Sequence, residues 1–126
     1  MRKVPCGRPF CALLLVLFLI LLLSFTALAQ DPTKVEPTHY KLAFENEYVQ
    51  VVNVHYGPHE KSAMHRHPAL IAVFVTDGHS RFTYPDGKTE EVKAKAGQVV
   101  YFPALDHLPE NLSDKPFEVI GIELKA

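Results

Sequence analysis

The sequence has no tryptophan and only two cysteines, and both cysteines lie within the first 29 of its 126 residues. The 97 residues from Gln30 onward (126 − 29) therefore exclude disulfide bonds, thiolate metal sites and a cysteine nucleophile. These residues also show no sustained apolar period of 3.6, which argues against long amphipathic helices. Residues 1–29 contain no Asp or Glu, and all the acidic residues follow them. The chain thus divides into a basic, apolar beginning and a cysteine-free remainder that contains all seven histidines.

The beginning of the chain has the layout of a secretory signal. Three basic residues precede an apolar run over residues 12–23, and the small residues Ala27 and Ala29 follow it. This pattern predicts a signal peptide over residues 1–29 that is cleaved after Ala29, so we expect an exported protein, periplasmic or secreted. The alternative is an uncleaved membrane anchor, since residues 12–29 are just long enough to span about 30 Å of hydrocarbon. Cleavage would leave no stable membrane association.

The remainder is mildly acidic and long enough for one compact domain. From Gln30 onward the chain has ten Lys and Arg and fourteen Asp and Glu, which gives a net charge of −4 with histidine neutral. That charge argues against a surface that follows a phosphate backbone, so we expect no nucleic-acid partner. Residues 30–38 are interpreted as a solvated linker, because Pro32 and Pro37 oppose regular structure. The domain itself is expected over residues 39–126.

Short apolar segments separated by turn residues predict an all-β domain. The Pro85-Asp86-Gly87 turn should join two of them as a hairpin. The predicted strands are Val49–Tyr56, Leu70–Thr76, Arg81–Tyr84, Thr89–Ala94, Gln98–Phe102 and Phe117–Leu124. The residues expected to pack inside are Val49, Val51, Ile71, Val73, Val75, Val119 and Ile120, although one strand cannot send both of the last two inward.

Two histidines are spaced for one face of a strand. His65 and His67 are separated only by Arg66, and residues i and i+2 of a strand point to the same side. Two imidazoles on one face can hold a divalent metal, and His107 is the best candidate for a third ligand. The alternative is an exposed strand with two solvated imidazoles. Of the other histidines, His55 is expected to be structural.

The order and spacing of these residues resemble the two motifs of the cupin superfamily. In the first motif, His65-Arg66-His67 is followed at the expected distance by Gly78; in the second, Gly97 is followed by Pro103, His107 and Asn111. The resemblance covers about residues 44–124. It implies a single jelly-roll β-barrel of two antiparallel sheets, with a metal held by His65, His67 and His107. Pairing of two copies as a homodimer is a further implication of the resemblance.

Three departures from the cupin motifs bear on the site. The place of the family's opening glycine is taken by His59, which is expected to be either near the metal or solvated. The glutamate ligand of the family falls on Ile71, which cannot bind a metal. The second motif lacks its middle glycine and is one residue short. Water, Asp106 or Glu110 could fill the fourth position. Glu110 is also the candidate catalytic residue, as a general base, and the alternative is that it is a surface charge.

The resemblance implies one divalent transition metal as cofactor, with zinc or iron as the leading choices and copper or nickel also compatible with three imidazoles. We expect a metal-dependent enzyme of the oxygenase or isomerase/lyase type that acts on a small molecule. The alternative is a non-catalytic module that binds a metal or a small ligand. Since the ligands must be unprotonated and an unperturbed imidazole has a pKa of about 6.5, metal binding is expected to weaken below about pH 6.

Overall fold

The computed structural model describes residues 31–126. The predicted signal peptide and the first residue of the predicted linker lie outside the described residues, so both stay predictions. No helix in the described part is long and apolar enough to span a membrane. The elements are the helical turn α1 (Pro32–Val35) and the strands β1 (Tyr40–Glu45), β2 (Val49–Tyr56), β3 (His65–His67), β4 (Leu70–Phe74), β5 (Gly78–Thr83), β6 (Thr89–Ala94), β7 (Val99–Phe102), β8 (Leu105–Asn111) and β9 (Phe117–Leu124).

The strands form two antiparallel sheets. The five-stranded sheet has the order β1-β2-β9-β4-β7, and the four-stranded sheet has the order β3-β8-β5-β6. At the predicted hairpin between β5 and β6, Gly87 has a φ of 83°, which favours glycine, and the Asp86 carboxylate accepts a hydrogen bond from the Lys88 amide at 3.0 Å. The all-β jelly-roll fold of two antiparallel sheets is therefore confirmed.

The core lies between the inner faces of the two sheets. Its aromatic part includes the stacked rings of Tyr56 and Phe117, whose centroids are 5.2 Å apart. Of the residues expected to pack inside, only Val119 belongs to the buried cluster, and Val75 is exposed. The prediction chose the wrong face of β2 and β4, because both faces of these strands are apolar and alternation alone cannot separate them. The buried cluster is Tyr40, Val52, Val54, Tyr56, Leu70, Ala72, Phe74, Ala94, Phe117 and Val119.

The segment before β1 is more ordered than a solvated linker. Pro32 at the start of α1 is fully buried, and the Asp31 carboxylate caps the turn by accepting a hydrogen bond from the Thr33 amide at 2.9 Å. Further along, the Glu36 carboxylate accepts a hydrogen bond from the Ala63 amide at 2.5 Å. The expectation of irregular structure was wrong here because proline is favourable in the first turn of a helix. This hydrogen bond connects the segment to the loop that leads into β3.

Candidate metal centre

The pairing of β3 with β8 brings the three predicted ligands together. His65 and His67 both point inward from β3, while Arg66 between them is exposed. His107 on β8 lies directly opposite His65 in the antiparallel register. All three histidines are buried, with at most 5% of their surface exposed. Their ligand nitrogens lie within 4.8 Å of one another, so the group could hold a metal ion.

Two of the imidazoles have their outer nitrogen held by an acceptor. The Nδ1 atom of His65 lies 2.9 Å from the carbonyl oxygen of Ala63, and the Nδ1 atom of His67 lies 2.5 Å from Oε1 of Glu123. Because a carbonyl oxygen and a carboxylate only accept, both Nδ1 atoms carry the proton. The two Nε2 atoms then face each other at 3.0 Å. A cation held between these two Nε2 atoms would accept the lone pair of each.

The third imidazole has no partner at all among the described residues. Both ring nitrogens of His107 are buried without a hydrogen bond. A buried polar atom without a partner costs about 1–3 kcal/mol, and such atoms in a native protein call for an explanation, such as an ion. Together with the facing nitrogens of His65 and His67, this orphaned ring fits a divalent transition metal.

Burial keeps two of the ligands in the form that binds metal. It lowers the pKa of His65 from 6.5 to about 4, with a further contribution from the imidazole of His67. Burial also lowers the pKa of His107 to about 2, and the two neighbouring imidazoles add to the effect. Both rings are therefore neutral at physiological pH, because desolvation disfavours the charged form. Neutral imidazole is the form that ligates metals.

Aromatic rings surround the histidines. The ring centroid of Tyr40 lies 4.8 Å from that of His65, and the Phe82 ring meets the His107 ring edge-on at 4.4 Å. The Tyr56 hydroxyl lies 3.0 Å from the Tyr40 hydroxyl. Burial raises the pKa of both tyrosines, so the two phenols stay protonated. The aromatic rings around the histidines are thus neutral.

A small cavity of about 70 Å³ adjoins the histidines inside the barrel. His67, His107 and Glu123 contribute to its wall, and most of the remaining wall is apolar, including Leu70 and Phe102. A cavity of this volume is smaller than one of about 150 Å³ that accepts benzene. In this conformation the space beside the histidines therefore accepts only a molecule of a few heavy atoms.

Glu110, the candidate catalytic residue, does not lie at this site. On β8 the side chains of His107, Pro109 and Asn111 point inward, so Glu110 points to the other face. There its carboxylate lies 3.5 Å from the guanidinium of Arg81. This placement agrees with the alternative that Glu110 is a surface charge and gives no support to a role as base or fourth ligand, because the segment is a strand whose side chains alternate between its two faces. The same alternation turns Asp106 outward.

The structure offers a second candidate for the position of the family's glutamate ligand. Ile71 is half-buried and belongs to the outer face of β4, whereas Leu70, Ala72 and Phe74 face inward. The cupin motif allows three or four residues between its second histidine and the glutamate. Counting four places that position at Ala72, which lines the cavity. None of the inward residues of β4 carries a carboxylate.

The sequence did not point to Glu123. Among the described residues it is the one acid that is hydrogen-bonded to any of the three histidines, and its partner is His67. Its side chain points inward from β9, in phase with Val119 and Gly121. A signal was present, since a charged residue on the inward phase of an otherwise apolar strand needs a partner inside. However, Glu123 can be identified as an inward residue only when it is known which face of β9 points into the barrel.

Three of the four histidines outside the group lie at the surface, whereas the fourth, His39, has a side chain only 13% exposed that stacks on the Tyr56 ring. His55 is exposed on β2, which does not support a structural role. His59 lies 2.6 Å from Asp114 and is largely exposed, as expected for the solvated alternative. His79 lies 2.8 Å from Glu91. None of these rings belongs to the group that could hold a metal.

Comparison with known proteins places these observations in a family. Residues 52–123 match the sequence family described as Cupin domain. No curated protein matches the chain. A cupin domain from Bordetella pertussis Tohama I is similar in structure, with 27% identity and a TM-score of 0.64 over 69% of this chain and 92% of that chain.

Two more distant structures show the same fold. A conserved protein with a double-stranded β-helix domain from Klebsiella pneumoniae has 20% identity and a TM-score of 0.54, over 76% of this chain and 83% of that chain. A predicted oxalate decarboxylase from Thermotoga maritima has 18% identity and a TM-score of 0.50, over 69% of this chain and 79% of that chain. At these identities the likeness concerns the fold alone.

Proposed function

The chain belongs to the cupin domain family, and from that membership and the geometry of its three histidines we propose that it binds one divalent transition metal and acts on a small molecule beside it. The observation that carries the proposal is His107, whose two ring nitrogens are buried without a partner among the described residues. A buried imidazole in that state is costly unless it ligates.

The residues of the site have distinct roles in this proposal. His65 and His67 present their Nε2 atoms, and His107 completes the set from the opposite strand. Zinc and iron(II) are the leading metals, and copper and nickel also suit three imidazoles. A metal bound by three protein ligands has positions left for a substrate, where it supplies Lewis-acid or redox chemistry. The apolar wall beside the histidines excludes water.

Two functions remain in competition. The enzyme alternative, of the oxygenase or isomerase/lyase type, is supported by a three-ligand site that adjoins a cavity. The alternative of a binding module without turnover is supported by the small volume of that cavity, about 70 Å³, and by the placement of Glu110 away from it. Oxygen consumption or product formation by iron- and zinc-loaded protein, with small diketones, thiols, phenols and uronates, distinguishes them.

Elemental analysis of the purified protein tests the metal site itself. We expect about one equivalent of metal in the wild type, and its loss in His107→Ala and in the double variant His65→Ala/His67→Ala. The matched control is His55→Ala, an exposed histidine of β2 outside the group, which should keep its metal. Stoichiometric metal in the double variant, or none in the wild type after incubation with zinc or iron(II), would refute the assignment.

We also propose that two copies associate through the outer face of the five-stranded sheet. That face carries an apolar row across the five strands, and a second row with Ile120, Val73 and Val99 runs beside it. Contiguous apolar residues on an outer sheet face, some of them exposed, are typical of a protein–protein interaction site. A second copy fits because two such faces pack sheet on sheet about a two-fold axis. The first row consists of Phe44, Val51, Ile122, Ile71 and Tyr101.

A further inference from the structure

Glu123 is a buried carboxylate with one strong partner. It lies near the end of β9, and only 4% of its surface is exposed. Its Oε1 atom lies 2.5 Å from Nδ1 of His67, and this is its only side-chain hydrogen bond among the described residues. A buried carboxylate is costly unless it is paired. The fold therefore places a carboxylate against the imidazole of His67.

The three imidazoles differ in how they are oriented. His65 is held by the neutral carbonyl of Ala63, and His107 by no acceptor among the described residues. Only His67 has a charged partner. A hydrogen bond from Nδ1 to a carboxylate fixes the tautomer, aims the Nε2 lone pair and increases the basicity of the ring. The Nε2 atom of His67 accordingly faces that of His65 at 3.0 Å.

We propose that Glu123 is a positioning residue of the site, which acts through His67 and supplies the negative charge that β4 lacks. The family's glutamate would supply that charge as a ligand, but the inward residues of β4 are apolar. Glu123 does not take the ligand position itself, because its carboxylate lies on the Nδ1 side of the ring and the Nε2 atom points the other way. This inference rests on the proposed metal site.

The charge of Glu123 has a consequence for the cation at the site. Three neutral imidazoles leave the full charge of a divalent cation uncompensated in a largely apolar interior. The carboxylate one ring away lowers the net charge by one unit while it leaves the number of ligands unchanged. Removal of such an outer partner typically lowers metal affinity about 10–100-fold.

Two substitutions separate the charge of Glu123 from its hydrogen bond. Glu123→Gln keeps an oxygen that accepts from Nδ1 but removes the charge, and Glu123→Leu removes both. The matched control is Glu118→Gln, an exposed acid on the same strand. Zinc affinity is measured at pH 7.5 by competition with a chromophoric chelator, and the absorption spectrum of cobalt(II)-loaded protein reports on ligand geometry. Long-range ¹⁵N–¹H spectra of the metal-free protein report the tautomer of His67.

We expect zinc affinity to fall about 10–100-fold in Glu123→Leu and by a smaller factor in Glu123→Gln, with no change in Glu118→Gln. The cobalt spectrum should shift in both Glu123 variants. The Nδ1–H tautomer of His67 should persist in Glu123→Gln and be lost in Glu123→Leu. Glu123→Gln has nearly the same size and shape as the wild-type side chain. If Glu123→Leu does not fold, Glu123→Gln alone still tests the inference.

Unchanged affinity and an unchanged cobalt spectrum in both Glu123 variants would overturn the inference, while a zinc-binding wild type would leave the proposed function standing. A wild type that binds neither zinc nor cobalt would overturn the proposed function and the inference together. The tautomer measurement on metal-free protein then shows whether Glu123 orients His67 for another purpose.

Discussion

The metal-free protein should lose stability between pH 7.5 and pH 5.5 because it buries neutral histidines. Burial lowers the pKa of His65 from 6.5 to about 4 and that of His107 to about 2. In the unfolded chain both rings return to a pKa near 6.5 and take up protons. The unfolded state then binds more protons than the folded state, so stability rises with pH and is lost on acidification from about pH 7.5 downward.

The magnitude follows from these pKa values. Between pH 7.5 and pH 5.5, a histidine in the unfolded chain goes from about one-tenth to about nine-tenths protonated. For each ring that stays neutral in the folded protein, this lowers the free energy of unfolding by about 1.3 kcal/mol. His65 and His107 together should thus cost about 2.7 kcal/mol, a large part of the 5–15 kcal/mol typical of a domain. Carboxylates contribute little in this window, because their unfolded pKa values lie near 4.

Urea unfolding of the protein in the presence of a chelator measures this loss. The wild type is compared at both pH values with His107→Gln and His65→Gln, which replace a titrating ring with a neutral side chain. Each variant should lose about 1.3 kcal/mol less than the wild type over the same interval, since groups common to both proteins cancel in the difference. An equal loss in wild type and both variants would refute the reasoning.

Two further predictions concern residues away from the histidines. Glu110→Gln should leave metal content unchanged and alter the free energy of unfolding by less than about 0.5 kcal/mol, because it removes only a surface ion pair with Arg81; loss of metal in this variant would return Glu110 to the site. Ile122→Lys, in the centre of the outer sheet face, should give the mass of one chain by light scattering where the wild type gives two; a monomeric wild type would contradict the proposed association.

The lowered pKa values also change one expectation from the sequence. With unperturbed imidazoles, metal binding was expected to weaken below about pH 6. In the folded protein, burial makes His65 and His107 harder to protonate, so protons compete with a metal for these two rings at a lower pH than for unperturbed imidazoles. The sequence could not show this, because the shift comes from burial between the two sheets.

The strands were predictable where turn residues mark their ends. Val49–Tyr56, Thr89–Ala94 and Phe117–Leu124 have the bounds that the sequence predicted. The strand β8 was missed because Pro109 lies within it and proline usually opposes a central strand. Without this strand the direction of Glu110 could not be derived, since it follows from strand alternation.

The candidate metal site was predictable to the extent that it rests on local spacing. The i, i+2 spacing of His65 and His67 depends only on the strand period, and the resemblance to cupins supplied His107. Glu123 was out of reach because its contact with His67 spans 56 residues of sequence. Partners from distant strands depend on sheet order and inward phase, which composition and local periodicity do not encode.

If the protein binds the proposed metal, the burial of all three imidazoles makes the timing of its uptake important. Because these rings have at most 5% exposure, we expect a bound ion to exchange mainly when the surrounding strands open locally, and such opening is infrequent in a native protein. Exchange after folding should therefore be slow. The ion present while the chain folds would then be retained over one that binds more tightly but arrives later. For this protein, the compartment and moment of folding would select the metal as much as the order of affinities does.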